Sequence, residues 1–174
     1  EVRRPVRIHR PVACEVTADE IEEFVSGIAI WNLDGVVNAA DPDAGIRHFD
    51  VASLPEIAQR VGSRVHVVEL GSGSGRKTRL LLDALQDPVA YTPVEISRSA
   101  LVGSVERLDR EFGPVQMLPV LGDFTQPVPL PEPEREARRV LVFFPGSTLG
   151  NLTNSESVRL LTAMRETMGP KGAA

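Results

Sequence analysis

The sequence predicts an α/β fold, an open parallel sheet crossed by helices, and three observations predict it. From Arg64 onward, short β-branched runs alternate with amphipathic helical stretches. The first run is short and β-branched and ends in glycines, and the fourth is apolar on both faces, the patterns of buried parallel strands. The unusual loops, rich in glycine and acids, all follow the carboxyl ends of those runs, where ligands of such sheets bind. Repeats of this length imply right-handed crossovers and a strand order of 3-2-1-4. The expected division is an N-terminal arm and helical segment over 1–62 and a sheet core over 63–174.

Residues 1–16, with Pro5 and Pro11, read as an extended arm. In "TADEIEEFVSGIAIW", Thr17 and Glu20 stand at capping-box positions, and Ile21, Phe24, Val25 and Ile28 mark one helical face. "NLDGVVNAADPDAG" is a turn-rich loop. "SLPEIAQRVG" is a short helix, with Ser53 as cap, Pro55 in the first turn and Gly62 past the end. "RVHVVEL" is the first strand and "RKTRLLLDALQ" the helix after it. "VAYTPVEI" is the second strand, followed by "SRSALVGSVERLDREFG", a helix capped by Ser97. "VQMLPVLGDF" is the third strand, with Pro119 as its weak point because proline donates no ladder bond. A proline-rich loop, "PVPLPEPEREAR", precedes the fourth strand "RVLVFFPG". The last helix is "TNSESVRLLTAMRETMGP", with Thr153 and Glu156 as a capping box and Gly169-Pro170 as its stop. There are no internal repeats.

Composition narrows the function classes. A chain of 174 residues, 42% hydrophobic and 25% charged, builds one core. A net charge of −5 gives no general attraction to nucleic acid or anionic membrane, and no apolar run approaches the ~20 residues that span a bilayer. The basic start, "EVRRPVRIHRPVACEV", lacks the apolar stretch of a signal peptide. Cys14, the single cysteine, excludes an internal disulfide and suits a reducing compartment; nothing near it would activate a thiolate, so it reads as a small buried residue. These features predict a soluble cytoplasmic protein with a small-molecule ligand and no metal.

The loop in "VVELGSGSGRKTRLLLDAL" decides which ligand. A triphosphate loop requires glycine directly before the lysine, and Arg76 stands before Lys77-Thr78. A dinucleotide fingerprint requires a third glycine at position 76, and here it falls one residue early, at Gly75. A turn with no ligand would sacrifice the backbone entropy of three glycines without need. The remaining pattern, E-x-G-x-G-x-G in "ELGSGSG", resembles the first motif of S-adenosylmethionine-dependent methyltransferases with a Rossmann-like sheet. That cofactor has no pyrophosphate and does not need a strict phosphate cradle. Glu95, 24 residues after Gly71, can accept from both ribose hydroxyls; the alternative is a solvated acid at a helix start. Asp123 can accept from the adenine amine, with Phe124 beside it; the alternative is a turn residue.

The stretch from "VVELGSGSGRKTRLLLDAL" through "VLGDFTQPVPLP" to "FFPGSTLGNL" closely resembles the histidine-specific α-N-methyltransferases of ergothioneine biosynthesis, over residues 64 to 169. "GSGSGRKT" and "GSTLGN" are its most specific parts. The resemblance implies a Rossmann-like class I methyltransferase sheet, S-adenosyl-L-methionine as cofactor and conversion of L-histidine to hercynine. It implies that Gly71 and Lys77 hold the methionine part of the cofactor, with Gly73 among the cofactor-binding residues, Glu95 the ribose, and Asp123 and Phe124 the adenine. Gly146 and Asn151 are implied to hold the amino acid, Asn151 through its side-chain carbonyl. No general base is identified.

The sequence departs from the family in three places. The family more often has aspartate where Glu95 stands. Its tyrosine-rich segment before the first motif has no counterpart, since Tyr91 is the chain's one tyrosine. Its pattern continues through further strands, so the sheet is expected to be incomplete, ending at "MGPKGAA". Methylation of another amino acid, or a non-catalytic cofactor-binding role, therefore stays open. The fourth strand is expected to lack a fifth neighbour and to pair copies of the chain into a homodimer through its edge.

Overall fold

The computed structural model describes residues 54–73, 75–145, 151–169 and 172–173. The expected arm, the helix from Thr17, Cys14, the Ser53 cap and Gly146 lie outside the described residues.

Helix α1 (Leu54–Val61) ends at Gly62, whose left-handed φ of 73° lets its amide donate back to the Ala58 carbonyl at 3.0 Å. Strand β1 (Val65–Leu70) is buried along its whole length because it lies mid-sheet, parallel to both neighbours. Helix α2 (Arg76–Ala84) leads to β2 (Ala90–Glu95). Helix α3 (Arg98–Glu111) begins at Ser97, whose hydroxyl accepts from the Ala100 amide as expected.

The expected third strand is two short pieces, β3 (Gln116–Met117) and β4 (Val120–Leu121), both parallel to β2. The break falls at Leu118-Pro119, where proline supplies no amide donor. Strand β5 (Arg139–Phe143) pairs with β1 on the other side. Helix α4 (Asn154–Met168) starts at a complete capping box: the Thr153 hydroxyl accepts from the Glu156 amide and the Glu156 carboxylate accepts from the Thr153 amide.

The sheet order is β3-β2-β1-β5-β6, with β4 also on β2, so the expected 3-2-1-4 arrangement stands. One expectation is corrected. The fourth strand does have a further neighbour: β6 (Gly172–Ala173) lies parallel to it, opposite Val140 and Leu141. Two residues of backbone after Gly169 suffice to begin that pairing, which needs no side-chain pattern legible in advance.

Alternation along β1 divides the core. Val65 and Val67 face α1, α2 and α3 in a cluster with Leu54, Leu81, Tyr91 and Leu108. Val68 and Leu70 face α4 in a cluster with Val94, Val142, Leu160 and Met164. Two layers of helix therefore enclose the sheet, and the carboxyl ends of β1, β2, β4 and β5 open along one rim. No helix among the described residues is long and apolar enough to cross a membrane.

Candidate functional site

The rim begins at the glycine loop. Gly71, Gly73 and Gly75 all adopt left-handed backbone, with φ of 73°, 46° and 68°. L-residues disfavour that region, so the chain turns from β1 into α2 within five residues only because these positions lack Cβ. The Gly71 amide donates to the Val94 carbonyl at 2.9 Å, which carries the β1–β2 ladder one step beyond the strand. A Cβ on Gly75 would meet the Leu108 side chain at 3.5 Å, so α3 supports the loop from behind. Buried Ser72 and Ser104 hydroxyls bond at 3.4 Å on the same side.

Beneath the loop lies a polar bracket that sequence reasoning did not single out. Glu69 is 2% exposed, and its Oε2 accepts from the Thr78 hydroxyl and from the Tyr91 hydroxyl, each at 2.5 Å. One carboxylate thus ties β1 to the first turn of α2 and to β2, on both sides of the loop. Burial pushes the Glu69 carboxyl up to about 7, against the opposing pull of the two donors and of Lys77. A signal was present in the sequence: an acid within a strand buried on both faces requires donors. Which residues would supply them was not readable.

Lys77 follows in α2. Its ammonium donates to the Pro145 carbonyl at 2.6 Å, joining the glycine loop to the end of β5. Burial lowers its pKa, and the nearby Glu69 opposes this.

Glu95 closes β2 and is half-buried, with Oε1 accepting from the Ser97 amide at 3.1 Å. The acid therefore sits at a helix start, as its alternative reading has it, and that bond also fixes its carboxylate at the rim. Asp123 is exposed after β4, and its Oδ1 accepts from the Thr125 amide at 2.9 Å, the turn that its own alternative describes. Each carboxylate retains acceptor capacity, since one oxygen carries two lone pairs and the second oxygen two more.

Phe124 is brought directly onto the loop. A Cβ on Gly71 would stand 3.4 Å from its Cε1. The same ring packs against Phe144 at a centroid separation of 5.8 Å and an angle of 58°. Asn151 is exposed just before the cap of α4, and Gly146 is outside the described residues. The rim thus collects Gly71, Gly73, Lys77, Glu95, Asp123 and Phe124 from three strand ends, those of β1, β2 and β4. It offers a close-approach backbone, one cation, two acids and an aromatic ring, a set suited to a ligand with an amino-acid end, hydroxyls and a flat base.

Residues 51–174 match the family model for histidine-specific methyltransferases, SAM-dependent. Over 107 residues the chain is 40% identical to the histidine N-alpha-methyltransferase of Mycobacterium tuberculosis (strain CDC 1551 / Oshkosh), covering 60% of this chain and 32% of that protein. Ergothioneine biosynthesis protein 1 of Neurospora crassa is 28% identical over 119 residues, 66% of this chain and 14% of that protein. The chain spans about a third (32%) of the length of the two histidine N-alpha-methyltransferases it matches. Among solved structures, the pyocyanin biosynthetic protein PhzM superposes with a TM-score of 0.48 at 25% identity, covering 76% of this chain and 38% of that one. The glycopeptide N-methyltransferase MtfA complexed with S-adenosyl-L-methionine superposes with a TM-score of 0.46 at 23% identity, covering 70% and 51%.

Proposed function

Because the chain belongs to the SAM-dependent histidine-specific methyltransferase family, we propose that it forms the cofactor-binding part of an enzyme that methylates the α-amino group of L-histidine to hercynine. The observation that carries the reading is the convergence at one rim of a left-handed glycine loop, the Lys77 ammonium, two acids and the Phe124 ring. The single cysteine in 174 residues supports a cytoplasmic site of action.

The loop passes a simple test of fit. Gly73 is exposed and the space its Cβ would take is nearly open, so a ligand can approach its backbone closely, while the corresponding space at Gly71 is taken by the Phe124 ring. In this reading Gly71, Gly73 and Lys77 take the amino-acid end of the cofactor, with the Lys77 amine donating to its carboxylate. Glu95 takes the ribose hydroxyls, and Asp123 with Phe124 takes the adenine. When bound, S-adenosyl-L-methionine supplies an activated methyl group on a sulfonium. The chain's part is to align the acceptor amine with that methyl group and to keep water out. Gly146 and Asn151 are assigned to the amino acid, with the Asn151 carbonyl accepting an N–H of the α-amine and turning its lone pair forward. Glu69 is not assigned as a base, since it is sealed under the loop at 2% exposure and held by Thr78 and Tyr91.

Calorimetric titration with S-adenosylhomocysteine tests the reading. Binding is expected, and Glu95→Ala is expected to weaken it about tenfold or more, the scale of charge-assisted hydrogen bonds. Absence of heat with this ligand beside clear binding of ATP or NAD would remove the proposal. A screen of amino acids for methyl transfer tests the substrate, and methylation of another amine with none on histidine would reassign it.

A further inference from the structure

Phe144 holds no assigned role, yet it sits where both halves of the rim meet. It follows directly on β5 and is half-buried against the apolar cluster under α4. Its ring meets the Phe124 ring at 5.8 Å, tilted by 58°, and the Phe124 ring in turn lies on Gly71. The next residue, Pro145, accepts the Lys77 ammonium through its carbonyl at 2.6 Å. Two fasteners of different chemistry thus hold the Phe144–Pro145 segment to the glycine loop: an aromatic pair over Gly71 and a charged hydrogen bond from α2.

We infer that Phe144 is a positioning residue that sets base recognition by seating the Phe124 ring on Gly71. Phe124 follows β4 through a short turn closed by its neighbour, the Asp123 carboxylate, on the Thr125 amide. That turn fixes the backbone rather than the ring, and Gly71 and Phe144 both stand against the ring. With Phe144 reduced to an aliphatic side chain, Phe124 loses its tilted aromatic partner and the Asp123 turn loses its register against the glycine loop. Lys77 prevents the segment from following, because its bond fixes the backbone directly after Phe144.

The inference rests on the cofactor reading above, and its test separates the two. The full chain is titrated with S-adenosylhomocysteine and with S-inosylhomocysteine, which has a carbonyl in place of the adenine amine. The measured quantity is the ratio of the two affinities. The wild type is expected to prefer the adenine ligand, and Phe144→Leu to reduce that preference about tenfold, the scale of one aromatic pair. Phe144→Tyr, which keeps the ring, is expected to retain the preference. In a Phe124→Leu background, Phe144→Leu is expected to change the ratio no further, because it acts through Phe124. A general loss of structure would weaken both ligands alike and leave the ratio unmoved, and Phe144→Met serves if the leucine variant does not fold. A Phe144→Leu ratio equal to wild type overturns the inference while leaving the cofactor reading intact. Wild-type protein that binds neither ligand overturns the cofactor reading and takes the inference with it.

Discussion

Glu69 and His66 stand on opposite faces of β1, and burial drives their ionisation in opposite directions. The Glu69 carboxyl is raised from 4.5 to about 7 by desolvation, and the His66 imidazole is lowered from 6.5 to about 4 by the same cause. His66 is 2% exposed and its Nε2 is hydrogen-bonded with the Thr92 hydroxyl at 2.8 Å. Glu69 favours folding when protonated, so its contribution is complete below pH 4.5 and is lost as pH rises to about 7. His66 favours folding when neutral, so its contribution is complete above pH 6.5 and is lost as pH falls to about 4. Between pH 4.5 and 6.5 the two slopes cancel, each being worth about 3 kcal/mol across its full range. Glu69→Gln removes one slope and keeps an oxygen for Thr78 and Tyr91. Denaturant unfolding of this variant is therefore expected to show stability rising steadily from pH 4.5 to 6.5, where these two slopes cancel in the wild type. Parallel pH profiles for the two proteins would show that Glu69 does not titrate in this window.

Elements form here where local chemistry closes their ends. Helix α4 depends on its capping box, which satisfies two orphan amides at the start of a helix that carries Leu160, Met164 and Met168 into the core. Thr153→Ala is expected to destabilise the protein by about 1 kcal/mol in denaturant unfolding. It also removes the Thr153 hydroxyl, the first of the two donors of residue 153 that hold the Glu156 carboxyl below its usual range, and leaves the backbone amide. Carbon-detected NMR titration is therefore expected to find the Glu156 pKa higher in the variant, and an unchanged value would show that the cap is not formed. The glycine loop ends its strand in a different way, through left-handed backbone at three positions rather than through side-chain caps. That difference leaves the backbone at Gly73 open to a ligand.

For the whole molecule, the exposed question is the edge beyond β5. Strand β6 covers Val140 and Leu141 with two residues of parallel ladder, which makes the bare fourth-strand edge expected from the sequence narrower. A chain ending at Gly169 would expose the backbone of an apolar strand whose inner residues, Leu141 and Val142, are buried. Such edges pair with other chains. Light scattering over a dilution series is expected to give a larger mean mass for the shortened chain than for the full one. Equal masses would show that β6 does not protect this edge.

Local patterns determined most of the fold. Strand and helix order, the Ser97 and Thr153 caps, the break at Pro119 and the gathering of Gly71, Lys77, Glu95, Asp123 and Phe124 near strand ends all follow from features within a few residues of each position. Periodicity and capping act over one turn or one pleat, so a single stretch of sequence suffices to read them. Tertiary structure alone decided the partners. Tyr91 lies 22 residues from Glu69 and Pro145 lies 68 from Lys77, and no local period selects either. The pairing of β6 and the seat of Phe124 between Gly71 and Phe144 belong to the same class. The charge state of Glu69 is decided there as well. Desolvation depends on what covers a side chain from all sides, and only the packed sheet, with helices on both faces, supplies that cover.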